Sequence, residues 1–498
     1  MAVTATVLVL GLSAAAGCGP DVVGPSWPGP AGPVRPQGGA AWNATGSKTV
    51  EYGGYTIEVP ASWPVYRLAA QPSRCVRYDT HAIYLGNPGP DQQCPAHLVG
   101  RTEAVRIARG VIHMPAMKVA YQRGGGATSR ANGRSEQRPL IVRDAAGREL
   151  GLTIPRAGLS ITATYANAPA LVERIVRSVH AADPAPIRPP APGAPRPTAD
   201  TPWPAAAHPA LVTVPTPDRG VDALPAPPPW RTAQQATAGD HVAPRRAAMD
   251  AVAVLAPSGP VKSRAGRAGR PIAGFDTCTA PSIPAMRAWR SYYAAIGIYI
   301  GGANSACDRG NLSARWVRQV KAMGWSLIPT YVGLQAPCDH FSGKIKPRWA
   351  ANEGVNAAGD AVALARGLRL RRHAPIYFDM EAYNSARKRC RSAVLTFLDA
   401  WTRRLRVRGY ASGVYSSAGS AAEDLGDTVV IGGHRLAKPR SIWFALWDGH
   451  ANIRGDPYLL ASWWPGRRRI KQFRGSRWQK HGGFRLDIDR DEVFGAVY

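Results

Sequence analysis

Asp379-Met380-Glu381 sets two carboxyl groups at a spacing suited to breaking a glycosidic bond. The tripeptide closes the apolar run Ala374-Pro375-Ile376-Tyr377-Phe378, which predicts a buried strand of a parallel sheet. Residues two apart on a strand share a face. Asp379 and Glu381 should therefore aim at one spot at the strand's C-terminal end, the active face of an α/β barrel. Glycosidic cleavage asks for such a pair: one proton donor, and one carboxylate that stays charged.

The elements that would position this pair begin at Pro271. Strand-like apolar runs cover 272–276, 296–301, 326–333, 375–381, 410–416, 441–447, 469–473 and 485–489. Helix-length segments at 283–294, 313–323, 352–368 and 391–407 fall between the early ones. Eight strands in the 228 residues of 271–498 predict an α/β fold, a (β/α)8 TIM-like barrel. After Ser416 the helical segments become short or irregular. Strand ends in such a barrel carry Asp276, Tyr331 leading to Gln335, Asp379 with Glu381, Tyr415, Trp447, Gln472 and Asp489. Acids for chemistry, flat rings for pyranose faces and amides for hydroxyls are the materials of a sugar site. Each has a plainer reading. Asp276 would cap a loop, Asp489 would pair with Arg485 or Arg490, and Trp447 and Tyr415 would be core. Acids at the ends of strands one, four and eight together are hard to obtain from packing alone, because unpaired buried acids are costly.

The remainder of the chain reads as an export and spacing apparatus. Residues 3–16 form an apolar run of signal-peptide length, too short to span a bilayer as a helix. Ala15-Ala16-Gly17-Cys18 follows the pattern of a bacterial lipobox, which would make Cys18 an acylated first residue; an ordinary Ala-rich cleavage site is the alternative. The expected order is a signal peptide at 1–18, a flexible tether at 19–47, a small α+β domain at 48–182, and a Pro/Ala-rich linker at 183–270 that cannot bury enough apolar surface to fold. The 48–182 segment shows no catalytic constellation and reads as a docking module or a folded spacer.

Lys and Arg number 62 against 33 acids, a net charge of +29. That balance favours a partner of dense negative charge, such as an acidic wall polymer, anionic lipid or nucleic acid, unless a GC-rich genome explains it. In 463–480, Trp463, Trp464, Phe473 and Trp478 alternate with Arg and Lys. Such a stretch can bind nucleic acid, yet export makes that partner the least expected. Apart from Cys18, six cysteines fall as Cys75 and Cys94 in one half and Cys278, Cys307, Cys338 and Cys390 in the other. Even numbers per half suggest disulfides within each. Cys75 with Cys94 is the one local pairing in the first half; the second half allows three connectivities. No CxxC, HExxH, phosphate loop or dinucleotide fingerprint is present, so neither a metal nor an organic cofactor is expected.

Four segments carry a family resemblance: Gly274-Phe275-Asp276-Thr277-Cys278-Thr279-Ala280-Pro281-Ser282, Gly333-Leu334-Gln335-Ala336-Pro337-Cys338, Ile376-Tyr377-Phe378-Asp379-Met380-Glu381-Ala382-Tyr383 and Gly413-Val414-Tyr415-Ser416-Ser417. Over about residues 271–498 the chain resembles the glycoside-hydrolase-like family of exported actinobacterial proteins, a domain of unknown function on a TIM barrel that is similar to the family 25 muramidases. The resemblance implies that Asp276, Asp379, Glu381 and Asp489 line the site, with Glu381 as proton donor. It implies that Asp379 favours the protonated form of Glu381 and stabilises an oxocarbenium-like transition state, and that Asp276 and Asp489 position sugar or water. On this layout the four C-terminal cysteines follow strands one to four. Pairing of neighbours, Cys278–Cys307 and Cys338–Cys390, would brace the loops around the site. The expected function is an exported hydrolase of cell-wall glycan, lipid-anchored or secreted to the wall. The rivals are a glycan-binding protein without turnover and, more weakly, a nucleic-acid-binding protein.

Overall fold

The computed structural model describes residues 46–110, 129–131, 134–136, 140–144, 147–182 and 270–498. The expected signal peptide, Cys18, the tether up to residue 45 and nearly all of the linker lie outside the described residues.

Ser47 to Tyr498 form one compact unit. Its N-terminal part opens with β1 (Ser47–Tyr52) and β2 (Tyr55–Pro60), an antiparallel hairpin turned at Gly53-Gly54. A six-stranded sheet follows in the order β3 (Val65–Arg67), β4 (Ile83–Leu85), β5 (Ala104–Arg109), β10 (Leu159–Thr164), β9 (Glu149–Ile154) and β8 (Leu140–Asp144). A separate short hairpin joins β6 (Ser129–Ala131) to β7 (Arg134–Glu136). One helix, α1 (Pro169–Arg177), buries Val172, Ile175 and Val176, and β11 (His180–Ala181) completes the first sheet.

The C-terminal part is a closed barrel of eight strands. In order they are β12 (Ile272–Asp276), β13 (Ala295–Gly301), β14 (Ser326–Tyr331), β15 (Pro375–Asp379), β16 (Ala411–Ser417), β19 (Ser441–Ala445), β20 (Arg469–His481) and β21 (Phe484–Phe494). A small hairpin of β17 (Val430–Ile431) and β18 (His434–Arg435) lies outside it.

The expected (β/α)8 TIM-like barrel is overturned. The first seven barrel strands run parallel, but β21 is antiparallel to both β20 and β12, so the barrel is mixed. Strands and helices alternate only early, through α2 (Ile283–Trp289), α3 (Ala314–Ala322), α4 (Ala350–Gly367) and α5 (Lys388–Val407). A kinked turn and the five-residue α6 (Glu423–Asp427) follow β16, no helix lies between β19 and β20, and Gly482-Gly483 closes a β20–β21 hairpin. Both glycines have positive φ, which a tight turn needs and a side chain disfavours. A hairpin leaves no chain for a crossover helix, and that is why the last strand must reverse.

Period-two burial sorts each barrel strand into an outer and an inner face. Phe275, Ile296, Ile298, Ile376, Phe378 and Val414 pack outward with Trp289, Val317, Leu364, Phe397 and Trp401 from the helices. Ala295, Ile328, Tyr377, Tyr415, Trp443, Ile470 and Val493 fill the interior. The interior is crowded enough to demand glycine: a Cβ at Gly297 would stand 2.5 Å from the Asp276 Cβ. The first two helices begin at Ser282 and Ser313, whose hydroxyls accept from Ala285 N and Trp316 N.

Candidate active site

The inner faces of three barrel strands and the loop after β15 converge on one acid cluster. β12 ends in Asp276, β15 ends in Asp379, and β21 carries Asp487, Asp489 and Asp491 at alternate, inward positions. Glu381 lies two residues beyond the end of β15 rather than on it. Gln335 holds that short extension. Its Nε2 donates to Asp379 O at 2.8 Å and to Gly333 O at 3.2 Å, and its Oε1 accepts from Glu381 N at 2.8 Å. All three of these Gln335 bonds go to backbone.

Gln472, fully buried on β20, ties the rest together. Its Nε2 donates to Asp276 Oδ2 at 3.0 Å and Asp489 Oδ2 at 3.3 Å, while its Oε1 accepts from Tyr415 Oη and Trp447 Nε1, both at 3.0 Å. Tyr415 lines the interior with them, and Trp447 stands at the rim, 42% exposed. Asp489 also accepts from Ser476 N, not from Arg485 or Arg490, whose guanidinium groups stack on Trp478 and Phe473. Tyr331 does not reach the site. It packs between barrel and helices against Phe378 and Trp401, and its hydroxyl donates to Asp360 Oδ2 at 2.8 Å.

Burial dominates the electrostatics. Desolvation pushes the Asp379, Asp489 and Asp491 carboxyls well above the usual carboxylate range and raises that of Asp276. Asp379 is fully buried, and neither of its oxygens has a hydrogen-bond partner. The cation beside it comes from the N-terminal part of the chain: His97 Nε2 lies 3.6 Å from Asp379 Oδ2 and 2.9 Å from Glu381 Oε1, 284 residues away in sequence. Tyr299 Oη donates to Asp276 Oδ1 at 2.8 Å. A hydroxyl has one proton, so the contact between His97 Nδ1 and Tyr299 Oη requires Nδ1 to donate. Nε2, 2.9 Å from Glu381 Oε1, then carries a proton only when the ring is charged. Burial opposes charge on this ring, but Asp379, Glu381 and Asp276 outweigh it and raise the His97 pKa to about 10.

His97 with Asp379 and Glu381, and His97 with Asp276 and Asp489, also bring single ligand atoms within 4.8 Å of one another. A metal at either triad would compete for the lone pair that the Nε2 proton occupies. Sequence reasoning missed His97, Tyr299 and Asp491. Asp491 was accessible from the same two-residue spacing, since Asp487, Asp489 and Asp491 repeat it; nothing local marks His97.

Glu381 and His97 open on a cleft of about 1400 Å3. Its walls carry Phe341, Tyr383, Tyr458 and Trp463, with Asn384 and Asp424 among them. The three disulfides Cys75–Cys94, Cys278–Cys307 and Cys338–Cys390 brace the surrounding loops.

A family model described as Rv2525c-like, glycoside hydrolase-like domain matches residues 287–493. The matched stretch runs from within α2 to β21 and so takes in all of the barrel strands but β12. Solved structures similar to the chain include an uncharacterized B. stearothermophilus protein, at 15% identity over 46% of this chain and 100% of that one, with a TM-score of 0.32. The Mycobacterium tuberculosis Tat-secreted protein Rv2525c, in complex with L-tartrate, is 17% identical over 46% of this chain and 98% of its own, also with a TM-score of 0.32. The modular autolysin LytC from Streptococcus pneumoniae, in complex with a synthetic peptidoglycan ligand, is 13% identical over 41% of this chain and 40% of its own, with a TM-score of 0.25. No curated protein matches the chain.

Proposed function

We propose that this protein is an exported hydrolase of cell-wall glycan whose proton donor is Glu381. The observation that carries the reading is the position of Glu381: of the cluster's acids it borders the open cleft, while Asp276, Asp379 and Asp489 stand behind it in the barrel. Aromatic walls suit the flat faces of sugar rings, and the glycoside hydrolase-like family supports the reaction class. Asp276, Asp379 and Asp489 would stabilise positive charge as it develops on the sugar.

Three disulfides support an oxidising compartment, and among the described residues no helix is long and apolar enough to cross a membrane. The Ala-Ala-Gly-Cys sequence supports acylation at Cys18. Metabolic labelling with a fatty acid, lost in Cys18→Ala, tests the anchor. The activity is tested by release of new reducing ends from purified wall glycans by wild type and by Glu381→Gln. Release by wild type alone is expected. No release by either protein, with glycan still retained in pull-down, leaves a glycan-binding protein and ends the enzyme reading.

A further inference from the structure

The N-terminal part has no role assigned by its sequence, yet it is built into the barrel's mouth. Barrel residues 302–308 run between two of its segments and bond to both. Tyr78 N donates to Ala306 O at 2.8 Å and Asp308 N to Val76 O at 3.2 Å on one side; on the other, Gly100 N donates to Asn304 O at 2.9 Å. Bridges pair Arg77 with Cys307 and Val99 with Ser305. Asp308 is held by Arg106 Nη1 at 2.8 Å and Gln92 Nε2 at 3.3 Å, and Arg101 Nε donates to Ser305 O at 2.7 Å. Cys94, Leu98, Cys278, Ala306 and Cys307 make one buried cluster across the junction. Undocking would strip main-chain donors and an ion pair of their partners at once. His97, flanked by buried Leu98 and paired Val99, is therefore a fixed part of the site.

What His97 contributes there is a flat, delocalised cation. It meets the acid cluster at several points: Asp276 through Tyr299, Asp379 and Glu381 directly, an Asp489 oxygen within 4.8 Å, and the Tyr415 ring at a centroid distance of 6.0 Å. Glycoside hydrolysis passes through a flattened sugar carrying positive charge, and a site that catalyses it is complementary to that charge. Asp379, sealed in the barrel, has His97 Nε2 at 3.6 Å from its Oδ2 as its cationic neighbour.

We propose that the acid cluster is a subsite for a planar monocation, and that His97 is its built-in occupant, standing where the charged sugar of the transition state would sit. The inference rests on the hydrolase reading for its kinetic consequence, but not for its binding consequence. At this subsite the intact chain is held below its full turnover, not shut off. Emptying the position opens it to free planar cations of the imidazolium or protonated aza-sugar class.

The test uses full-length His97→Gly, with His97→Gln as a second variant that keeps the volume, and imidazole as the probe. Near-wild-type thermal midpoints establish that each variant is folded; should His97→Gly fail to fold, His97→Gln carries the kinetic and glycan-affinity readouts. Imidazole is expected to bind His97→Gly by calorimetry and not wild type. Release of reducing ends should rise about tenfold or more in His97→Gly and by less in His97→Gln, which removes the charge but still fills the position, and imidazole should suppress it in His97→Gly. If no protein releases reducing ends, the hydrolase reading fails; imidazole binding to His97→Gly and its displacement of bound glycan would still sustain the subsite. Three results overturn the proposal: no imidazole binding by folded His97→Gly, a fall in turnover or glycan affinity in both variants, or tight binding of zinc or manganese by wild type that is lost with His97.

Discussion

Replacing Gln335 by Ala should cost far more than a buried amide usually does, because this side chain holds the backbone that carries both acids. The Glu381 N–H and the Asp379 carbonyl each lose a 2.8 Å partner, and both groups are buried. A buried backbone group left unpaired costs about 1–3 kcal/mol, so two cost roughly 2–6 kcal/mol. Water entering the vacated space offsets part of this, and about 3 kcal/mol is the expected loss. At a urea m-value of about 2 kcal/mol/M this moves the unfolding midpoint down by about 1.5 M. The same freedom lets Glu381 drift from His97 and the cleft, so reducing-end release should fall with the midpoint. Urea unfolding followed by tryptophan fluorescence, read beside the glycan assay, measures both. A midpoint within about 0.2 M of wild type together with unchanged release would refute the claim that Gln335 positions Glu381.

The buried charges set a pH dependence. His97 has a folded-state pKa of about 10 against an ordinary 6.5, so its contribution is fully present below about pH 6.5 and is lost as pH rises toward 10. The Asp379, Asp489 and Asp491 carboxyls are raised by burial, so the folded state binds protons that the unfolded state has released, and stability again falls as pH rises above the ordinary carboxylate range. Thermal midpoints should decline from mildly acidic to alkaline pH, and the decline should be shallower in Asp491→Asn; a midpoint that climbs over that range would contradict both assignments. Breaking Cys278–Cys307 as a double Ser variant opens a crosslink of 29 residues and should cost about 3–4 kcal/mol, read by denaturant unfolding. An unchanged midpoint would show that the hydrogen bonds and ion pair of the 302–308 loop hold it without the crosslink.

Much of the barrel was legible because local rules govern it. The 272–276 run matches β12 residue for residue, and the expected segments over α2 to α5 overlap those helices, since apolar period and Ser caps are written in adjacent residues. The eighth strand was found but its direction was not. Gly482-Gly483 signals a hairpin, yet a run of strand-like segments favours the parallel solution until the turn is read as closing one. Tyr331 shows the same limit at a single residue. Its position near a strand end suggested the mouth, whereas strand phase turned it outward onto Trp401.

By itself the sequence determined that acids end strands one and four and recur on strand eight, because period-two alternation follows from neighbouring residues; Asp489 lies in the middle of that last strand rather than at its end. It also determined the even cysteine count in each half. Tertiary structure alone decided that Gln335 bonds the backbone of Asp379 and Glu381, that Gln472 bonds Asp276 and Asp489, and that a histidine 284 residues before Glu381 enters the cluster. No local pattern encodes a contact made by docking two parts of a chain, since its energy lies in surfaces that meet only after each has folded.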